Sequence, residues 1–419
     1  MERPQDLGGN RGDDRELVAQ AAVELKLDVA KWQQQLGMRE LLTVLGAEEG
    51  LTRFVGGTVR DELLGIPHSD VDLATRLDPQ AVLGRLRQTK IKAVPTGIDH
   101  GTITAVSRGH VVEITTLRRD VSTDGRRATV AFTEDWAEDA ARRDFTINAL
   151  FADPISGEIF DYFGGLADLE HRHIRFIGDP LARIAEDHLR ILRFFRFHAR
   201  FGLGEPDAAA LKACTTRAND LMALSRERIA DELLKLLAVA DPSLTMGIML
   251  ERKILKPVLP EIEEATLPVL RALIDSERKA GVEPNPLRRL ASLLPRVQLT
   301  VEEVAVRLRL SNNARKRLAC TASADLDLSP EALAYRVGSE CAVDRLLLAG
   351  RDWDALAVQS WKPARLPVKG GDLIKRGLKE GPLVARTLRQ IEDEWVRAGF
   401  PTDDALDAIV DRALADARG

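Results

Sequence analysis

Between Phe54 and Thr75 the chain reads FVGGTVRDELLGIPHSDVDLAT, and this run constrains the local fold more tightly than any other. The apolar run LTRFV leads into a glycine pair, TVRDELLG has the spacing of a short helix, IPHS is a turn, and VDLAT alternates as a second strand. Gly56 and Gly57 remove the side chains that would keep a backbone turn away from a phosphate, and Arg60 brings a planar charged fork to short range. Asp70 and Asp72 are two residues apart, so a strand projects both from one face, where paired carboxylates hold a divalent metal. Taken singly, a glycine pair is usually a turn, and a D-x-D in a chain with 65 acidic residues is usually a solvated edge. Taken in this order, they form a framework for metal and triphosphate.

The chain changes character near residue 165. Residues 30–48 have helical periodicity, and residues 51–160 alternate short β-branched runs (RFVGG, KAVPT, TITAVS, HVVEITTL, RATVAF) with helical patterns such as DPQAVLGRLRQT. From Leu169 onward amphipathic helical stretches dominate, among them RIAEDHLRILRFFRFHARFG, RERIADELLKLLAVA and GPLVARTLRQIEDEWVRAG. Proline and glycine at GVEPNPL and RLPVKGGD mark joints within this half. The expected organisation is a flexible or helical leader at 1–28, an α/β head at 29–165, and all-α segments at 166–237, 238–310 and 311–419.

Composition excludes several classes. No apolar run approaches the roughly 20 residues that span a bilayer, and MERPQDLGGNRGDDRE has no apolar signal region, so no membrane association and a cytoplasmic location are expected. Cys214, Cys320 and Cys341 are far apart with no C-x-x-C; they read as buried small residues with no disulfide partner and no zinc site. The seven histidines form no H-x-x-x-H and join no cysteine at ligand spacing, so the expected metal is magnesium on oxygen donors. A net charge of -5 does not advertise nucleic-acid binding, and the distribution of charge carries the argument instead.

Glu113 alternates with Val112 and Ile114 and is the candidate third carboxylate, placed to face the same side as Asp70 and Asp72, with a plain surface glutamate as the alternative. Arg142 and Arg143 flank an apolar run, where a charged pair either meets a triphosphate or borders a helix. Between Arg172 and Arg200 stand seven arginines and three acids, and helical spacing sets Ile191, Leu192 and Phe195 against Arg190, Arg193 and Arg196. Asp187 and Arg190, at i and i+3 on the expected helix, can meet one planar ligand. An aspartate accepts from an exocyclic amine and an arginine donates to a ring nitrogen or carbonyl. Cytosine and adenine present an amine beside a ring acceptor; uracil and guanine present a carbonyl beside a ring N–H. Such a pair takes C and A and rejects U and G, so that the protein itself serves as template. An ordinary Asp187–Arg190 salt bridge is the bland alternative.

Strand, glycine turn, helix and D-x-D strand together resemble the DNA polymerase β superfamily, and GGTVRDELLG with DVDLAT is similar to the class II branch holding CCA-adding tRNA nucleotidyltransferases and bacterial poly(A) polymerases. ARRDFTINAL resembles that family's RRDFT-x-NAL motif, which implies phosphate binding on Arg143. EDHLR resembles its E-D-x-x-R template motif, with Glu186, Asp187 and Arg190 in place, and its further arginines fall on Arg193 and Arg196. TLRRDVSTDGR resembles the flexible loop used in the terminal adenosine step, with an ordinary hairpin as the alternative; SRERIADELLKLL resembles the helix motif that follows. The resemblance implies a polymerase β-like nucleotidyltransferase head followed by all-α neck, body and tail. It further implies magnesium-dependent addition of C, C and A from CTP and ATP to the 3′ end of tRNA, with release of pyrophosphate. A poly(A) polymerase, an enzyme adding only CC or only A, and a catalytically silent tRNA-binding protein remain alternatives.

Overall fold

Strand β1 (Thr52–Val55) ends at Gly56, helix α1 (Gly57–Leu63) follows, and the chain returns as strand β2 (Val71–Thr75). The computed structural model describes residues 26–67, 71–124, 127–323 and 325–418. Asp70 and most of the expected leader, residues 1–25, therefore lie outside the described residues. The remainder of the leader is tied to the head: the Leu27 N–H donates to the Gly157 carbonyl at 2.8 Å.

The other strands are β3 (Lys92–Gly97), β4 (Thr102–Ser107), β5 (His110–Thr116), β6 (Arg118–Asp124), β7 (Arg127–Phe132), β8 (Leu150–Ala152) and β9 (Ile159–Asp161). Among the described residues, seven of them form one sheet in the order β3-β4-β5-β2-β1-β8-β9, so the carboxylate strand β2 is its centre. Strands β2 and β5 run parallel and the other neighbours antiparallel, which makes the sheet mixed. Burial explains the central position, since Val71, Leu73 and Ala74 are all buried. Helix α2 (Trp136–Ala141), capped by the Asp135 carboxylate, packs Trp136 and Ala140 against Val55, Ala74 and Phe151. Trp32 covers Phe54 with ring centroids 4.3 Å apart. The charged segment after Leu117 forms a two-stranded ribbon, β6 with β7.

The chain divides into two compact units, residues 1–171 with 175–178, and residues 172–174 with 179–419. In the second, every regular element among the described residues is a helix. Those that position functional groups are α3 (Pro180–Glu186), α4 (Arg190–Phe201) and α5 (Arg226–Leu237). Helices α6 (Leu267–Ala280), α7 (Pro286–Ser292), α8 (Asn312–Thr321) and α9 (Ser339–Leu348) surround a buried ionic network. Glu277, 2 % exposed, accepts from both Arg288 and Arg289, and Asp344 accepts from Arg288 and Arg317. Arg289 also donates to the carbonyls of Leu237, Val239 and Ala240, capping the C-terminal end of α5. Among the described residues no helix is long and apolar enough to cross a membrane.

The cysteine expectation needs correction. Cys214 is buried as read, and burial pushes its thiol well above the ordinary value. Cys320 and Cys341, however, form a disulfide, with their Cα atoms 6.2 Å apart. Packing of α8 against α9 brings together residues 21 apart in sequence, a juxtaposition that linear spacing does not announce.

The buried network yields a stability prediction. Glu277→Ala leaves two buried guanidinium groups short of their carboxylate, and chemical denaturation is expected to show a loss of about 3–5 kcal/mol in the helical unit.

Candidate active site and base-reading turn

In the head, the glycine turn is built by close approach. Gly56 has φ 62° and ψ −118°, a conformation open to glycine, and a Cβ there would stand 3.1 Å from Arg143 Nη1 and 3.3 Å from the Asn148 carbonyl oxygen. The Thr58 hydroxyl, in the first turn of α1, accepts the backbone N–H of Asp72 at 2.8 Å. The turn is thereby locked to the carboxylate strand.

Asp72 is half-buried, and its register partner on the parallel strand β5 is Glu113, which is exposed between buried Val112 and Ile114. In-register neighbours on a sheet project from the same face. The structure thus brings Asp72 and Glu113 together. Their donor set is carboxylate oxygen alone, which suits a hard divalent cation. Asp70, the other member of the expected D-x-D pair, lies outside the described residues.

Asp139, 1 % exposed, organises the arginines. It accepts from Arg142 Nε at 2.8 Å, from Arg143 Nη2 at 3.0 Å and from the Arg118 backbone N–H at 3.2 Å. Burial alone would raise its carboxyl, but the charges of Arg143 and Arg142 together with these hydrogen bonds hold it below the ordinary value. Arg143 is braced by Asp139, lies over the Phe151 ring with 5.4 Å to the centroid, and directs Nη1 toward the Asn148 carbonyl at 3.4 Å. It stands beside the glycine turn, 3.1 Å from where a Cβ on Gly56 would lie.

Arg60 corrects the expectation of a fork open to phosphate. It is 6 % exposed; Nε donates to Asp61 at 2.7 Å, and Nη1 donates to the Asn148 side-chain oxygen. Its place is that of a brace joining α1 to the segment before β8. Asn148 is the residue that sequence reasoning missed, since it receives Arg60 on its side chain and Arg143 on its backbone while donating to Asp144 at 3.0 Å. A buried amide in the apolar run INAL is the signal that marks it.

In the helical unit, the expectation of one continuous helix through Asp187 and Arg190 is also corrected. Asp187 has φ −151° and ψ 108°, an extended residue between α3 and α4. Its Oδ1 accepts the Leu189 N–H at 3.1 Å, and its carbonyl accepts the Arg190 N–H at 3.0 Å, so a turn replaces the helix. Aspartate side chains compete with helical backbone bonding in this way and so favour helix starts. Glu186 closes α3 and accepts from Arg183 Nη1 at 2.6 Å and from Arg190, which also donates to the Arg183 carbonyl at 2.8 Å.

Helix α4 buries Ile191, Leu192, Phe194, Phe195, Phe197 and Phe201, leaving Arg190, Arg193 and Arg196 half-buried. Glu232 of α5, 3 % exposed, accepts from Arg196 Nε at 2.6 Å and stands 3.8 Å from Arg193. Arg196 further lines a cavity of about 530 Å³ with Arg200, Lys235 and Asp241. These residues place a cationic, partly solvated surface along α4.

Residues 52–175 match the family described as Poly A polymerase head domain, and residues 205–266 that described as probable RNA and SrmB-binding site of polymerase A. The chain is 34 % identical over 382 residues to CCA tRNA nucleotidyltransferase 1, mitochondrial, of Mus musculus, covering 87 % of each chain. It is 33 % identical over 372 residues to a CCA-adding enzyme of Levilactobacillus brevis, covering 84 % of this chain and 90 % of that one. Among solved structures, the Bacillus stearothermophilus CCA-adding enzyme in complex with CTP superposes with a TM-score of 0.69 at 26 % identity, over 91 % of this chain and 99 % of that one. The Thermotoga maritima CCA-adding enzyme complexed with tRNA shares the fold, with a TM-score of 0.66 at 20 % identity, over 94 % of this chain and 100 % of that one.

Asp139 generates a pH prediction. Because its folded-state value lies below the ordinary 3.8, its stabilisation is fully present above that pH and is lost as the pH falls through the lowered value. Asp139→Ala is expected to lower stability at neutral pH by about 3 kcal/mol. Thermal melts at stepped pH are expected to show the gap to wild type closing below pH 3.8.

Proposed function

The chain belongs to the CCA-adding tRNA nucleotidyltransferases, and from that membership we propose that it extends the 3′ end of tRNA by C, C and A, consuming CTP and ATP and releasing pyrophosphate at each addition. The observation that carries the reading is the turn from Glu186 to Arg190, where a carboxylate acceptor and a guanidinium donor stand three residues apart at the start of a cationic helix. Asp187 would accept from the amine of cytosine or adenine and Arg190 would donate to the adjacent ring acceptor. Glu186 holds Arg190 in place for this.

The transfer itself belongs to the head. The primer's 3′ oxygen attacks the α-phosphorus of the nucleotide, and the bond to pyrophosphate breaks. Asp70 and Asp72 are the proposed magnesium ligands, with Glu113 as the neighbouring carboxylate. A cation bound there would lower the pKa of the primer hydroxyl and offset charge on the departing pyrophosphate. Gly56 and Gly57 allow close backbone approach to the triphosphate, Arg143 supplies charge to it, and Arg60 holds the turn in shape. Arg193 and Arg196 are proposed to meet the nucleotide or the primer end.

A neck at 166–237, a body at 238–310 and a tail at 311–419 would grip the acceptor stem through its shape and backbone phosphates. The proposed compartment is the cytoplasm, with the mitochondrion, named for the mouse relative, as the alternative.

The test is extension of tRNA ending at the discriminator base in the presence of magnesium. CTP alone is expected to add two residues and CTP with ATP three, with both products lost in Asp72→Ala. Open-ended growth on ATP alone would instead identify a poly(A) polymerase, and tRNA binding without growth would identify a silent binder.

A further inference from the structure

Helix α5 carries two oppositely charged residues one turn apart, Arg228 and Glu232, and both reach the segment from Asp187 to Arg196. Arg228 donates from Nη2 to Oδ2 of Asp187 at 2.7 Å, across 41 residues of sequence. The other oxygen, Oδ1, accepts the Leu189 N–H at 3.1 Å. One oxygen is held by a side chain from a neighbouring helix and the other by local backbone, which restrains the plane of the carboxylate. Each oxygen retains acceptor capacity, and the Asp187 side chain is 30 % exposed, so an edge of it stays open to a ligand.

Base selection by an aspartate and an arginine depends on where the two stand relative to each other. A carboxylate that swings freely accepts equally from the amine of cytosine and from the ring N–H of uracil, and an arginine that follows it meets the uracil carbonyl. Discrimination therefore requires the acceptor and the donor to be fixed. Arg190 is held by Glu186 and the Arg183 carbonyl, and Asp187 is held by Arg228.

We propose that Arg228 is a positioning residue for base selection, clamping the Asp187 carboxylate so that it meets the amine edge of C and A and is out of register with U and G. The proposal rests on the assignment of Asp187 to base selection made above. A purely structural ion pair would, on removal, lower stability and affect all four nucleotides alike; a clamp alters the choice among them.

The experiment compares full-length wild type, Arg228→Met, Arg228→Lys and Asp187→Asn, with a thermal melt for each. Single-addition kcat/KM is measured for CTP against UTP on tRNA ending at the discriminator base, and for ATP against GTP on tRNA ending in CC. Arg228→Met is expected to narrow both ratios by about tenfold or more, chiefly through a raised KM for CTP and ATP. Arg228→Lys is expected to recover part of the loss, because an ammonium keeps the charge without the planar fork. Wild-type ratios in Arg228→Met, with ratios lost in Asp187→Asn, would overturn the clamp while leaving the role of Asp187 intact. Wild-type ratios in Asp187→Asn, or no addition by the wild type, would overturn the underlying reading and the clamp with it. Where Arg228→Met fails to fold, Arg228→Lys decides: unchanged ratios overturn the proposal and narrowed ratios support it.

Discussion

A buried guanidinium must be matched by a carboxylate or by carbonyl oxygens, and that requirement shapes both units of this protein. In the head, Asp139 takes Arg142 and Arg143 together, while Asn148 takes Arg60 on its side chain and Arg143 on its backbone. The glycine turn, the arginines and the carboxylate strand are thus parts of one hydrogen-bonded arrangement. In the helical unit, Glu277 and Asp344 match Arg288, Arg289 and Arg317, and Arg289 finishes by capping α5. Removing Glu277 leaves Arg288 and Arg289, almost fully buried, without their shared carboxylate in a place where water has little access.

Within the helical unit, α5 links this ionic network to the segment from Asp187 to Arg196. Its C-terminal end is fixed by Arg289, and along its side Arg228 and Glu232 hold Asp187, Arg193 and Arg196. For the proposed reading of a base, side chains need defined geometry at modest exposure, and α5, held at its end, fixes the partners of Asp187, Arg193 and Arg196. The half-buried state of Arg190, Arg193 and Arg196 follows from the broad phenylalanine face of α4, which draws the helix into the core and leaves the arginines at its margin.

Asp72 and Glu113 show how sheet order does similar work in the head. Neither residue is exceptional alone, and they are 41 positions apart in the chain. Parallel pairing of β2 with β5 in that register makes them neighbours. The Thr58 hydroxyl on the Asp72 N–H then ties the carboxylate strand to the turn that would receive a phosphate.

The sequence by itself determined the local order: strand, glycine turn, helix and the strand carrying Asp72, the alternation that turns Glu113 outward, and the shift to helices after the head. Those features depend on residues within a few positions of one another, where periodicity and turn chemistry act directly. The tertiary structure alone decided the rest. It turned Arg60 into a brace, joined Cys320 to Cys341, and gave Asp187 and Arg196 their partners on α5. Each of these outcomes depends on which distant side chain arrives to satisfy a charge, a hydrogen bond or a thiol. Burial and packing determine that arrival, and spacing along the chain does not encode it.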